Sequence, residues 1–187
     1  MNIGIAITGS FCTCENILTQ LEKMVKLGHN IIPIISKTVA TTDTRFGTAK
    51  EFVEKVEKIC GKSVVKTIVE AEPLGPQNKI DVLAIAPCTG NTLAKIANGL
   101  SDDAVTMASK AHMRNYKPLV VAISTNDGLG LNMQNIAKLM NEKKVFFVPF
   151  RQDSPTKKPK SLVSDLDLLL DTILLAKDGE QIQPVLI

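Results

Sequence analysis

Tryptophan is absent from this chain, tyrosine occurs once, and aromatic residues make up only 4% of it. With so few rings there is no base-stacking platform for single-stranded nucleic acid. A strong charge of one sign is missing too. The 22 Lys and Arg against 19 Asp and Glu leave a formal net charge of +3, which does not point to a nucleic-acid partner. No apolar run approaches the ~20 residues that a membrane-spanning helix needs. Met1 leads directly into the apolar run Ile3-Gly4-Ile5-Ala6-Ile7, so the expected location is the cytoplasm, with no membrane partner. The four cysteines, Cys12, Cys14, Cys60 and Cys88, show no CxxC pair and no companion histidine spacing, which argues against zinc and against a disulfide framework. The two histidines, His29 at a helix end and His112 in a polar helix, read as surface residues.

What the chain has is length and alternation. Its 187 residues suffice for one domain with a three-layer core. Apolar runs at 3–8, 31–35, 65–69, 82–86, 119–123 and 145–148 read as strands. Between them lie helical patterns. Ile17, Leu18, Leu21, Met24 and Val25 share one face, closed by Gly28. A second helix runs from about Gly47 to Cys60, with Phe52, Val56, Ile59 and Cys60 inward. Others follow Thr92, span Ala104–Met113, and carry Met133, Ile136, Ala137 and Met140. A last helix takes Leu162, Val163, Leu166, Leu169, Leu170, Ile173 and Leu174, leaving Phe150 to Ser161 as the one irregular stretch. This alternation predicts an α/β fold: a three-layer, Rossmann-like (flavodoxin-like) doubly wound parallel sheet with helices on both faces. In such sheets ligands bind at the carboxyl ends of strands, near the switch in strand order.

Several loops fall at those ends. The most informative string is Ala86-Pro87-Cys88-Thr89-Gly90-Asn91-Thr92-Leu93-Ala94-Lys95-Ile96-Ala97-Asn98-Gly99-Leu100-Ser101-Asp102-Asp103. Pro87 stops a strand, and Thr89, Gly90, Asn91 and Thr92 then bring small polar groups to a helix N-terminus, where unpaired N–H groups can hold an anion or cofactor. Plain helix capping is the other reading of the same residues. After the first strand, Gly9 permits a tight turn while Ser10 and Thr13 offer hydroxyls beside Cys12 and Cys14. This loop is not G-x-G-x-x-G, so the dinucleotide fingerprint fails. After the second strand stand Ser36, Lys37 and Thr38, where a dinucleotide fold wants an acid. Two hydroxyls and a lysine suit the phosphate of a mononucleotide better, with capping again the alternative.

The signature string resembles the P-x-S/T-x-N-T-x-A-K-I-A-x-G-x-x-D-D pattern of the FMN-dependent flavoprotein family, which contains cysteine-peptide decarboxylases, phosphopantothenoylcysteine decarboxylase and flavin prenyltransferases. The resemblance implies FMN as cofactor, held by Gly9, Ser10, Thr13, Ser36, Thr38, Pro87, Thr89, Asn91 and Thr92. After the following long strand the family often has P-x-M-N. Here Ser124, Thr125 and Asn126 stand in its place and complete the implied set. Homo-oligomers, trimers or their multiples, are implied as well, and Ala94, Ala97, Ala104, Ala108 and Ala111 would allow close helix contact. Decarboxylating members carry a histidine eight residues before the acid that opens the signature strand. Counting back from Asp81 reaches Pro73, which argues against oxidative decarboxylation of a cysteine conjugate.

Three strings, 86–92, 124–132 and 149–155, together with 158–163, resemble one branch of the family in spore-forming bacteria. That branch works in the mother cell with a second subunit resembling a pyridine-nucleotide dehydrogenase. The resemblance implies an oxidoreductase subunit that aromatises a small dihydropyridine dicarboxylate. Arg151 and Lys158, in a basic segment with Lys157 and Lys160, are candidate carboxylate ligands, since a guanidinium can clamp a carboxylate with two parallel bonds. A solvated loop or a docking surface for the second subunit is the alternative for this segment. Two other functions stay open: a flavin-dependent lyase acting on a thiol conjugate, and a non-catalytic assembly partner.

Overall fold

The apolar runs assemble into a seven-stranded sheet. In the computed structural model, which describes residues 1–77 and 79–187 and every side chain among them except that of Cys14, the strands are β1 (Asn2–Ile7), β2 (Asn30–Ile35), β3 (Val82–Cys88), β4 (Leu119–Thr125), β5 (Val145–Phe147), β6 (Phe150–Ser154) and β7 (Lys158–Ser164). β1 pairs in parallel with β2 and β3, β3 with β4, and β4 with β5. The resulting order 2-1-3-4-5 is the flavodoxin-like one, and chain direction across the sheet reverses between β1 and β3.

Eight α-helices are described: α1 (Cys14–Lys26), α2 (Lys37–Thr41), α3 (Ala49–Cys60), α4 (Ile68–Ala71), α5 (Gly90–Ala97), α6 (Ala104–Met113), α7 (Asn132–Met140) and α8 (Leu169–Asp178). Alternate residues of the central strands enter two cores. Ile3, Ile5, Ile7, Val82, Ala84 and Ala86 pack with Ile17, Leu21 and Met24 of α1, Val56 of α3 and Ile173 of α8. Ala6, Leu83 and Ile85 pack with Leu93 of α5, Val105 and Ala108 of α6 and Ile136 of α7. Both faces of the parallel sheet are therefore covered, which is why its strands read as continuous apolar runs. Gly28, at φ +82°, closes α1 as expected: its N–H donates to the Val25 carbonyl and that of His29 to Met24.

Four expectations are corrected. The stretch 150–161 is a β-hairpin, and Leu162 and Val163 belong to its second strand, with the last helix starting only at Leu169. β4 outruns the three-residue β5, and β7 pairs antiparallel with the exposed end through Ser124↔Val163 and Thr125↔Leu162. Buried Phe150 and Leu162 anchor the hairpin, while its solvent-facing charges hid the strand pattern. Pro87 does not stop β3, which runs on to Cys88 with a register shift past Ile85, the kind of irregularity at which a sheet tolerates proline. Of the strand expected at 65–69 only Val65 pairs, bridging Ile34, after which Thr67 caps α4. Ala97, Ala104, Ala108 and Ala111 are buried within the molecule, where Ala111 lets α6 approach Gly75 so closely that a Cβ there would lie 2.6 Å from the Ala111 oxygen.

His112 is likewise no surface residue. It is 4% exposed, and its Nε2 donates to the Pro118 carbonyl at 2.9 Å. Burial pushes its pKa from 6.5 down to about 4, with the Pro118 bond opposing the shift. An unfolded chain takes up this proton near its ordinary pKa while the folded one does not. Stability is therefore lost as pH falls from 6.5 towards about 4, by up to on the order of 3 kcal/mol. His112→Gln keeps an N–H donor but cannot titrate. Urea unfolding across that pH window should show a flatter acid limb for the variant, and an unchanged slope would contradict the assignment.

Candidate functional site

The chain's reversal point is closed by one side chain. Thr8, directly after β1, donates its hydroxyl to the Pro87 carbonyl at 2.8 Å and accepts the Thr89 N–H at 2.9 Å. Its own N–H also reaches Pro87, at 3.3 Å. Two strand ends are thereby locked side by side. Ser10, in the next loop, hydrogen-bonds the Ser124 hydroxyl at the end of β4 at 2.7 Å, and the Thr13 hydroxyl donates back to the Ser10 carbonyl at 2.7 Å. Thr89 caps α5, accepting the Thr92 N–H at 3.4 Å and donating to the Thr92 hydroxyl at 3.1 Å.

Behind Thr89 a carboxylate is packed against the start of α5. Asp127 accepts the Thr125 hydroxyl at 2.5 Å and the Asn132 amide at 2.8 and 2.9 Å. The Thr125 bond, followed by that from Asn132, holds its carboxyl below the ordinary range against the opposing effect of burial. Asn135 in turn donates to Asn132 at 2.9 Å. Only glycine fits at position 90, because a Cβ would sit 2.5 Å from both Asn132 Nδ2 and Thr125 Oγ1. The hairpin is sewn to this loop by Leu129 N–H to the Lys160 carbonyl at 2.9 Å and the Ser161 hydroxyl to the Thr125 carbonyl at 3.2 Å.

These loops enclose a cleft of about 650 Å³ at the carboxyl ends of β1, β3 and β4. Its walls are mostly hydroxyls, amides and backbone. The ionisable groups lining it are Cys12, Asp153 and Lys158, the last two paired at 2.8 Å, and that pair raises the Lys158 pKa.

Residues 1–173 match the family model described as Flavoprotein. The chain belongs to that family. The B subunit of dipicolinate synthase from Bacillus subtilis (strain 168) is 47% identical over 185 residues, covering 99% of this chain and 92% of that protein. A crystal structure of the dipicolinate synthase B subunit from Bacillus halodurans C matches with a TM-score of 0.91 and 47% identity, covering 100% of this chain and 95% of that one. The FMN-dependent cysteine decarboxylase SpaF shares the fold at a TM-score of 0.70 and 19% identity, with 95% and 97% of the two chains covered.

In this flavoprotein the cleft gathers eight of the fourteen expected site residues. Gly9, Ser10 and Thr13 come from the first loop and Thr89 from the signature. Ser124, Thr125 and Asn126 follow β4, and Lys158 comes from the hairpin. Six stand elsewhere. Ser36 is buried and caps α2 through the Val39 N–H, while Thr38 is exposed beside Gly9. Pro87 is buried in β3 and offers its carbonyl to Thr8, and Thr92 is buried against Thr89. Asn91 is exposed on α5 outside the cleft. Arg151 is paired with Asp165 at 3.6 Å, off the lining.

Phe11, Cys12, Asn16, Asp153 and Ser161 line the cleft without having been singled out as site residues. Asn16 is one helical turn beyond Thr13, a spacing that would have found it. Ser161 and Val163 alternate on a strand that was read as irregular and helical. No histidine lines the cleft among the described residues. Gly90→Ala is expected to cost about 1–3 kcal/mol by forcing the Thr125–Asp127–Asn132 cluster apart. The denaturant midpoint measures it, and a wild-type midpoint would refute the packing described.

Proposed function

We propose that this chain is an FMN-binding subunit of a dipicolinate synthase, acting with a dehydrogenase-like A subunit in the mother-cell cytoplasm of a sporulating bacterium. The net reaction removes two hydrogens from a dihydrodipicolinate-type precursor, leaving aromatic dipicolinate (pyridine-2,6-dicarboxylate). The observation that carries the flavin part is the hydroxyl-lined cleft at the β1/β3 reversal, where flavodoxin-like sheets take mononucleotides. The donor set suits a flavin mononucleotide: small residues at Gly9 and Gly90 let the ligand reach backbone N–H groups, and the space is ample for it.

FMN, when bound, supplies a two-electron acceptor. Ser10 and Thr13 are assigned to its phosphate. Thr89, Ser124, Thr125 and Asn126 are assigned to the ring and ribityl chain. The Thr125 proton is spent on Asp127, so its oxygen is left to accept a hydrogen bond from the ligand. Lys158, already neutralised by Asp153, is assigned to an anionic edge of ligand or substrate. Self-association is assigned to the α5–α6 face, where Ile96, Leu100 and Met113 line a recess.

Thermal unfolding with FMN at a hundredfold excess over its dissociation constant should show roughly 2.7 kcal/mol of added stability, together with a visible flavin spectrum. Ser124→Ala should weaken FMN by roughly tenfold through one lost hydrogen bond. Absence of both signals, in the chain alone and with the A subunit, would end the flavin reading.

A further inference from the structure

The hydroxyls of the cleft differ in where their protons go. Thr89, Thr125 and Ser161 line it side by side. Gly90, next to Thr89, abuts the Thr125 oxygen, and Ser161 reaches the Thr125 carbonyl. All three hydroxyl protons are committed inward. Thr89 donates to the Thr92 hydroxyl at 3.1 Å and Thr125 to Asp127 at 2.5 Å. Ser161 donates to the Thr125 carbonyl at 3.2 Å, with oxygens of Asn126 and Asp153 next, at 3.5 Å each. A hydroxyl that has donated its proton has only lone pairs left for any other partner. This wall of the cleft therefore faces a ligand as a row of acceptors, with the exposed Asn126 amide beside it able to donate.

Asp127 fixes the firmest of these commitments. A hydrogen bond to an ionised acceptor is roughly twice as strong as one between neutral groups, so the Thr125 proton stays on the carboxylate. Asp127 forms no ion pair among the described residues. It stands at the start of α5, where a Cβ on Gly90 would lie 3.0 Å from its Oδ1. A negative charge there answers the helix macrodipole, so the anion that a helix N-terminus attracts is already supplied by the chain itself. Lone pairs with a carboxylate behind them disfavour a phosphate or a carboxylate on this wall. A neutral N–H suits it, next to a carbonyl that the Asn126 amide can meet. That is the edge of a lactam or imide ring.

We propose that Asp127 is a positioning residue: by taking the Thr125 proton it makes this wall select the N–H edge of a neutral heterocycle and directs anionic groups to the rest of the cleft. The inference rests on the proposed function for the identity of that edge, the imide N3–H of the flavin ring with its flanking carbonyls. The ligand is thereby given a direction, with its ring edge towards Thr125 and its phosphate towards the first loop.

Titration of the full chain, alone and with the A subunit, with FMN and with 3-methyl-FMN tests it, read by flavin absorbance. The methyl group removes the one ring N–H of the oxidised flavin, so 3-methyl-FMN should bind roughly tenfold more weakly. Asp127→Asn keeps an oxygen for Asn132 and sets an N–H against Thr125, whose hydroxyl then turns its proton to the cleft. In that variant, and in Thr125→Val, FMN should weaken and the tenfold ratio should fall towards one. Thr125→Ser keeps the hydroxyl and should keep the ratio. A purely structural role for Asp127 would weaken both flavins alike and leave the ratio unchanged in Asp127→Asn, which would overturn the inference. Equal binding of the two flavins by the wild-type chain would overturn it as well, while leaving the flavin reading in place. Uptake of neither, under both conditions, would defeat the two together.

Discussion

The site depends on the Thr8 hydroxyl. It is buried, it donates to Pro87 and it accepts from Thr89, so one oxygen satisfies both loops at the point where strand order reverses. A parallel sheet leaves a crevice there because the chain departs to opposite faces from adjacent strand ends. Without a bridge the two loops would each need other partners for buried backbone groups, which cost more unpaired than they return when bonded. With the bridge, Ser10 is brought to β4 and Thr89 to the start of α5. The cleft is then a consequence of topology and one hydroxyl.

The far wall obeys the same accounting of donors and acceptors. Asp127 has only acceptors to offer, and the Thr125 hydroxyl and the Asn132 amide fill them. That set of bonds lies against Gly90, where no side chain intervenes, and it pins the loop that holds the hairpin through Leu129 and Lys160. Helix start, strand end and hairpin are thus coupled through a single carboxylate. Glycine at 90 and 128 is a packing requirement here: a Cβ on Gly128 would lie 2.6 Å from Leu162 of β7.

Much of this was legible in the residues. The buried parallel strands announced themselves as uninterrupted apolar runs, and α6 falls where its periodicity placed it. The loops at the strand ends were located because parallel topology forces them there. What stayed hidden involved partners remote in sequence. Thr8 meets Pro87 across 79 positions, and Ser10 meets Ser124 across 114. The hairpin looked irregular because its exposed faces are charged, and its register is set by the free end of β4. His112 looked polar in a one-dimensional reading, yet the approach of α6 to the strand ends removes it from water. Asn91 matched a motif without entering the cleft, since the helical turn that begins at Gly90 carries it outward.

The composition also bears on how protons are handled. The chain has two histidines, one buried on the Pro118 carbonyl and neither on the cleft, so the usual neutral-pH base is missing from the lining. Asp153 is engaged by Lys158 at 2.8 Å, and that pairing raises the Lys158 pKa. A cleft so equipped can bind and orient a planar ligand through hydroxyls and amides. The cleft itself is a preorganised surface of hydroxyls, amides and backbone with one Asp153–Lys158 pair on it.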